Sequence, residues 1–202
     1  VESYLTWMAV KKRVSPTTQN VALQGLLFLY REILGITLEG IDAMRAKRPQ
    51  RIPTVLSRQE VADLFAQLSG HSLLIAQLLY GCGMRIGEAI CLRVKDIDFG
   101  NQQITLRAAK GAKDRVVQLP KCAIESVRQQ VKNAERWHAQ DTASGVCRVE
   151  LPNAFARKSP AAASNIAWYW LFCSSVLSQS PDTGLTGRHH LDESNVTRSL
   201  SI

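Results

Sequence analysis

The stretch GCGMRIGEAICLRVKDID, residues 81–98, is the most informative part of this 202-residue chain. Two glycines form a turn, and Arg85 then begins an apolar-periodic segment that is predicted to be a helix over residues 85–93. Glu88 follows three residues later, on the same helix face. A guanidinium at a helix N-terminus suits an incoming phosphate, with Glu88 orienting it. A surface ion pair of small energetic value fits the same spacing.

A β-hairpin is predicted next, in the sequence AKGAKDRVVQLP at residues 109–120 and the segment before it. Residues 103–108 and 115–119 have the composition of two short strands. Lys110 lies at the tip beside a glycine, and Lys113 and Arg115 add positive charge. These three cations suit contacts with a nucleic-acid backbone. From the residues alone, a solvated turn lysine is the default interpretation of Lys110.

The remaining pattern predicts a mainly α fold with this one small hairpin. Ser15-Pro16 starts a helix that Gly35 ends, because serine caps a helix, proline suits its first position and glycine terminates it. Ser57 and Glu60 have the spacing of a capping box. The other predicted helices occupy residues 2–10, 72–80 and 120–140.

The composition indicates a polyanionic partner. Lysine and arginine number 25 against 17 acidic residues, giving a net charge of +8 and a pI near 9.5. No apolar run reaches the ~20 residues of a bilayer span, so nucleic acid is favoured over membrane and a cytoplasmic, nucleoid-associated location is expected. The five cysteines are odd in number and lack a C-x-x-C pair, which argues against zinc and disulfides.

Residues 45–56 are predicted to form a linker between two domains, because two prolines keep the segment extended. Its cations include Lys47, Arg48 and Arg51. The segment is interpreted either as a solvated connection or as a basic hinge lying on a DNA backbone.

The arginine segment, the Asp-Ile-Asp turn at residues 96–98 and the lysine hairpin, in that order, resemble the tyrosine recombinases. The sequence TQNVAL at residues 18–23 looks like the helical core-binding domain of that family. The resemblance implies that residues 1–44 are the C-terminal part of this SAM-like domain. It also implies that residues 45–56 are the hinge and residues 57–202 a partial catalytic domain.

The same resemblance implies roles for individual residues. Arg85 is expected to clamp the scissile phosphate, with Glu88 supporting it. Lys110 is expected to protonate the leaving 5′-hydroxyl. The DNA-binding residues are expected to be Lys47, Arg48, Arg51, Lys113 and Arg115.

Three segments, LPNAFARKSP at residues 151–160, WYWLF at 168–172 and RHHLDES at 188–194, resemble the helical insertion of integron integrases. This insertion is assigned to about residues 150–195. The likeness implies cassette recombination at duplex attI and single-strand-folded attC sites by a homotetramer, with no metal or nucleotide cofactor. The DNA-binding residues that it adds are Arg157, Lys158, Trp168, Trp170, His189 and His190.

Other interpretations of these residues stay open. The tryptophans fit a hydrophobic core as well as a base-binding platform. The adjacent histidines also fit a metal site, although neighbouring side chains are expected to point apart and the sequence offers no clear partner cluster.

The chain departs from the family because it holds no His-x-x-Arg box and no tyrosine in the expected context. Its tyrosines are Tyr4, Tyr30, Tyr80 and Tyr169. The chain is therefore interpreted as a fragment without the C-terminal part, expected to bind DNA weakly and to cleave none. The alternative interpretation is a non-catalytic DNA-binding remnant of a recombinase.

Overall fold

A computed structural model describes residues 1–38, 54–109, 113–152, 155–180 and 184–200. The chain divides into two compact units, Val1–Val55 and Leu56–Ile202. None of the helices in the described ranges has the length and apolar composition of a bilayer span. Four predicted functional residues lie outside the described residues: Lys47, Arg48, Arg51 and Lys110.

In the first unit, the described residues 1–38 form a pair of helices. Ser15 caps the second helix as predicted, because its hydroxyl accepts a hydrogen bond from the backbone N–H of Thr18 at 3.2 Å. Gly35 has φ +64°, a left-handed conformation that glycine adopts easily, and the helical segment ends just before it. The elements are α1 (Glu2–Val10), α2 (Pro16–Phe28) and a π-helical continuation, Leu29–Ile33.

The second unit combines helices with two small antiparallel sheets, so the predicted mainly α class is confirmed. Its helices are α3 (Arg58–Gln67), α4 (Gly70–Cys82), α5 (Ile86–Ile90), α6 (Ile124–Ala143), α7 (Phe155–Lys158) and α8 (Glu193–Leu200). Its strands are β1 (Ile97–Asp98), β2 (Gln103–Ala109), β3 (Lys113–Gln118), β4 (Cys173–Gln179) and β5 (Thr186–His190). The sheets have the orders β1-β2-β3 and β4-β5.

Local sequence signals explain where several elements begin. Ser57 and Glu60 form both hydrogen bonds of the predicted capping box, at 2.7 and 3.3 Å, and so start α3. The main core lies where α4, α5, α6, α8 and the first sheet meet. Its fully buried side chains include Ile75, Leu78 and Val127.

The helix predicted over residues 85–93 is shorter in the structure, because α5 ends at Ile90. The next residues extend and bond to a distant segment. The carbonyl of Leu92 accepts from the N–H of Leu171 at 2.8 Å, and Arg93 forms a β-bridge with Trp170. This long-range pairing ends the helix although the apolar spacing continues.

The predicted helical insertion is only partly helical. It contains α7 and two 3-10 turns, Pro160–Ser164 and Ile166–Trp168, but it continues into the second hairpin, β4-β5. A separate buried cluster holds it together and includes Cys147, Leu151, Tyr169 and Trp170. The sequence pattern predicted the β2-β3 hairpin but not this second one.

Gly187 is required where β5 passes the chain at Arg148. A Cβ on Gly187 would lie 2.4 Å from the backbone oxygen of Arg148, too close for any side chain. We expect Gly187→Ala to lower the free energy of unfolding by about 1–3 kcal/mol, because the backbone must shift. Urea unfolding measures this. The control is Gly87→Ala, with nothing within 4 Å of the new Cβ, which should stabilise α5 by about 0.5–1 kcal/mol. Equal effects of both substitutions would contradict the explanation.

Candidate functional site

The first candidate site is built around the carboxylate of Glu88. Its Oε2 accepts the backbone N–H of Arg85 at 2.7 Å, and its Oε1 accepts Nη1 of the Arg85 side chain at 2.9 Å. From β3, Arg115 donates Nη1 and Nη2 to the two carboxylate oxygens at 3.0 and 2.8 Å. Glu88 thus links the start of α5 to the strand that follows residues 110–112.

The guanidinium of Arg85 remains accessible to an anion at this site. The hydrogen bond from Arg115, more than the bonds from Arg85, lowers the pKa of Glu88 to about 2, so the carboxylate is ionised at neutral pH. The Glu88 side chain is only 12% exposed, whereas that of Arg85 is 57% exposed. Arg85 is therefore oriented by Glu88 and still open to a phosphate.

Arg115 has a different environment from the one expected for a DNA contact. Its terminal nitrogens are both engaged by Glu88, and its side chain is 35% exposed. The main contact of Arg115 is therefore the carboxylate of Glu88. Sequence reasoning missed this pair because the residues are 27 positions apart, and only the charge of the hairpin pointed to it. Lys113, the other cation of β3, begins that strand.

Acid should weaken the link between α5 and β3. The folded pKa of Glu88 lies below its ordinary value of 4.5, at about 2. The stabilisation is therefore complete above pH 4.5 and is lost as the pH falls from 4.5 towards 2. The lowered pKa corresponds to at most about 3 kcal/mol, which the exposed partners reduce to about 1–2 kcal/mol.

This acid effect is checked by urea unfolding at pH 7 and pH 3 for the unchanged chain and for Glu88→Gln. The variant should be less stable at pH 7 and should lose less stability on acidification. Glu135→Gln, at an exposed position of α6, is the matched control. An unchanged pH dependence in Glu88→Gln would contradict the assignment.

The second candidate site is a cavity of about 620 Å³ in the segment that resembles the integron insertion. The segment around residue 150 forms one wall, and the β4-β5 hairpin forms the other. Its polar lining includes Arg148, Glu150, Gln179, Thr186, Arg188 and His189. The volume is in the range of small-molecule pockets and is sufficient for a nucleobase.

His189 and His190 lie together beside this cavity. Their ring centroids are 4.0 Å apart, so the expectation that neighbouring side chains point apart is wrong here. The register of β4 and β5 shifts between Cys173 and Leu177, opposite these histidines, and such irregularities add local twist. Within the described ranges, no group of three or more metal-ligating side chains is present.

The imidazole of His189 is suited to stacking and hydrogen bonding. Burial, and next the neighbouring His190, lower its pKa from 6.5, so the ring is neutral at pH 7. The side chain is 45% exposed, and its Nε2 lies 3.9 Å from a carboxylate oxygen of Glu150. A neutral, half-exposed ring can contact a planar base.

The two tryptophans differ from each other in exposure. Trp170 is 6% exposed and packs against Arg93 and both histidines, so it supports these rings from below the surface. Trp168 is half-buried, stacks on Phe155 at 4.7 Å and has the Lys95 ammonium over its ring. Both rings are engaged with protein groups in this structure.

Arg93 fixes the tryptophan segment from inside the protein. Its guanidinium lies 3.8 Å from the centroid of Trp170, and it donates hydrogen bonds to the backbone oxygens of Trp168 and Glu150 at 2.5 and 2.7 Å. Burial lowers the pKa of Arg93 to about 10, which leaves it charged at neutral pH. The predicted cations Arg157 and Lys158, on α7, are exposed.

A buried ionic network, which sequence reasoning did not identify, lies behind the β4-β5 hairpin. Arg188 of β5 donates Nε and Nη2 to the two carboxylate oxygens of Asp141 on α6, each at 2.7 Å. The hydroxyl of Tyr169 also donates to Asp141. Asp141 and Arg188 are 2% and 5% exposed. No local sequence pattern connects Asp141 with Arg188, because the two residues belong to separate elements.

Comparison with known proteins covers almost the whole chain. Residues 54–199 match the phage integrase family, and residues 1–39 match the phage integrase N-terminal SAM-like domain. Proteins named integrase/recombinase in Escherichia coli and Pseudomonas aeruginosa are each 40% identical over 99% of this chain. Tyrosine recombinase XerA of Thermococcus kodakarensis is 34% identical over 58% of it and 43% of its own length. The chain spans 60% of the length of the first two relatives.

Solved structures show the same fold. The XerH site-specific recombinase bound to palindromic difH substrate, in its post-cleavage complex, has a TM-score of 0.51 and 21% identity. This match covers 88% of this chain and 50% of XerH. The pre-cleavage XerH complex has a TM-score of 0.50 and 22% identity, covering 66% and 42%. The chain belongs to the phage integrase family, the family of the tyrosine recombinases.

Proposed function

We propose that this chain supplies the DNA-binding surface and the phosphate-clamping arginine of a site-specific DNA recombinase. The observation that carries the proposal is Arg85, which Glu88 holds in place while its side chain remains 57% exposed. A fixed guanidinium can neutralise the charge that develops on a phosphate under nucleophilic attack. The phage integrase match over residues 54–199 supports this role.

In the proposed reaction, a tyrosine hydroxyl attacks the scissile phosphate, a 3′-phosphotyrosyl bond forms and the 5′-hydroxyl leaves. Arg85 stabilises the pentacoordinate phosphorus, and Lys110, outside the described residues, protonates the leaving oxygen. The covalent bond keeps the energy of the phosphodiester, so the reaction needs no metal or nucleotide cofactor. The complete protein is proposed to act as a homotetramer on DNA.

The tyrosines of this chain do not suit the nucleophilic role. Tyr169 is fully buried, and burial followed by its hydrogen bond to Asp141 raises its pKa. Tyr80 packs edge-on against Phe65. We expect the 202-residue chain alone to bind DNA without forming a covalent adduct. Denaturing gel electrophoresis with labelled DNA checks this, and a band resistant to SDS and sensitive to protease would contradict it.

We propose further that the substrates are integron sites, duplex attI and single-strand-folded attC. Support comes from the cavity between residue 150 and the β4-β5 hairpin, with neutral His189 beside it. A folded single strand differs from duplex DNA by its extrahelical bases, which a partly polar cavity of this size can receive. Exposed Arg157 and Lys158 are proposed to contact the backbone.

A gel-shift assay tests the integron proposal with this chain and three DNAs. These are an attC hairpin with its extrahelical bases, the same hairpin without those bases, and matched duplex DNA, each at about 50 and 200 mM salt. Preference for the first hairpin should survive at the higher salt, because salt weakens mainly phosphate contacts. His189→Ala should remove the preference, whereas Lys158→Ala should weaken binding to all three alike. Equal, strongly salt-sensitive binding by the unchanged chain would contradict the proposal.

A further inference from the structure

The guanidinium of Arg188 joins three parts of the second unit. Besides its two bonds to Asp141 on α6, Arg188 donates Nη1 to the backbone oxygen of Ser174 on β4 at 2.7 Å. The guanidinium also lies 4.0 Å from the ring centroid of Trp137 on α6. Its side chain is 4% exposed and that of Asp141 is 3% exposed, so solvent hardly weakens these bonds.

The bonds of Arg188 lie where the β4-β5 ladder is interrupted. The pairing shifts between Cys173 and Leu177, and Ser174 falls within this interval. The arginine side chain thus binds a backbone oxygen in the irregular part of the hairpin. Backbone pairing fixes the neighbouring histidines less firmly here than a regular ladder does, so another constraint has to set their orientation.

The Asp141–Arg188 pair supplies a directional constraint that apolar packing lacks. A planar guanidinium with two parallel hydrogen bonds to a carboxylate is restricted in both distance and rotation. Tyr169 adds a third donor to the same carboxylate. It belongs to the segment that carries Trp168 and Trp170. The network therefore connects the scaffold helix α6 with the β4-β5 hairpin, which is one wall of the cavity, and with the segment of Trp168 and Trp170.

We propose that Asp141 and Arg188 are positioning residues that set the orientation of His189 and His190 for reading an extrahelical base. This inference rests on the proposed integron function. Arg188 precedes the two histidines on β5, so a rotation of its backbone moves both rings. A buried ion pair contributes little net stability compared with apolar side chains of similar volume, and here it serves to specify one orientation.

The test separates orientation from stability by using two kinds of variant. Arg188→Lys keeps the charge and removes the paired hydrogen bonds. The double variant Asp141→Leu with Arg188→Met fills the space with apolar side chains and removes the directional bonds. The matched controls are Glu135→Gln and Arg136→Lys, at exposed positions of α6, the helix that carries Asp141. Far-UV circular dichroism and a cooperative thermal transition identify the variants that fold.

The measured quantity is the ratio of the dissociation constants for the attC hairpin without and with its extrahelical bases. We expect Arg188→Lys and the double variant to lower this ratio about tenfold, while both controls leave it within twofold. A ratio kept by a folded double variant would overturn the inference and leave the integron proposal intact. A ratio of one for the unchanged chain would show that the integron proposal itself has failed, and this inference with it.

A second measurement needs no DNA and is independent of the folding of any one variant. Amide hydrogen exchange over residues 186–190 in the unchanged chain should be slow, because Arg188 holds this strand to α6. In either folded variant, exchange of these amides should be at least about tenfold faster, with α4 and β2 unaffected. Equal exchange in the unchanged chain and in a folded variant would overturn the positioning role.

Discussion

Arg85→Ala is expected to lower DNA strand cleavage at least about a hundredfold, the usual effect of removing one preorganised donor from a developing oxyanion. The reason is the geometry at Glu88, which holds the arginine while leaving it exposed. The assay uses a chimera of this chain and the E. coli relative. The relative supplies the regions that lie outside its match to this chain. Cleavage is measured as covalent protein–DNA adduct formed per minute.

Two controls separate catalysis from binding in this experiment. Arg136→Ala removes an exposed arginine of α6 and should change cleavage less than threefold. Gel shifts should show that Arg85→Ala loses only modest affinity, since one phosphate contact among many contributes little. If cleavage falls only in parallel with affinity, Arg85 does not act as the phosphate clamp. That result would favour the interpretation of the chain as a non-catalytic DNA-binding remnant of a recombinase.

Asp141→Ala is expected to lower the free energy of unfolding of the second unit by about 3–5 kcal/mol, because it leaves the Arg188 guanidinium buried without a counterion. Burial by itself raises the pKa of Asp141, but the bonds from Arg188 and Tyr169 outweigh it and lower the pKa. The Asp141 carboxylate is therefore ionised at pH 7, and the substitution should show its full effect on the free energy of unfolding at that pH. Urea unfolding followed by circular dichroism measures it.

The matched control for this prediction is Glu135→Ala, on the exposed face of α6, which should change stability by less than about 0.5 kcal/mol. Restoring apolar packing with the double variant Asp141→Leu and Arg188→Met should recover only part of the loss, because the buried Tyr169 hydroxyl then lacks the acceptor that Asp141 provides. If Asp141→Ala and Glu135→Ala cost the same, the ion pair does not contribute as the structure indicates.

Short-range chemistry made several elements predictable. The caps at Ser15 and Ser57 depend on residues within three positions of each other, and both form the expected bonds. The β2-β3 hairpin follows from the composition of the two strands and from a glycine in the sequence between them. The spacing of Arg85 and Glu88 likewise predicted one pair of contacting side chains, which the structure contains.

Long-range pairing explains what could not be predicted. The shortening of α5 depends on Leu171, which lies about 80 residues further along the chain. The β4-β5 hairpin has polar residues on both faces, so alternation gave no signal. The pairs Glu88–Arg115 and Asp141–Arg188 join separate elements, and no spacing rule connects their members.

We propose that this chain belongs to a recombinase acting on integron sites. The most direct measurement is recombination by the chimera between an attI plasmid and a single-stranded attC donor, scored by junction-specific amplification and sequencing. We expect junctions at the attI × attC pair, reduced at least about a hundredfold by Arg85→Ala, and none when the extrahelical bases of attC are removed. A folded chimera that binds DNA but forms no attI × attC junctions, or forms them equally without those bases, would contradict the claim.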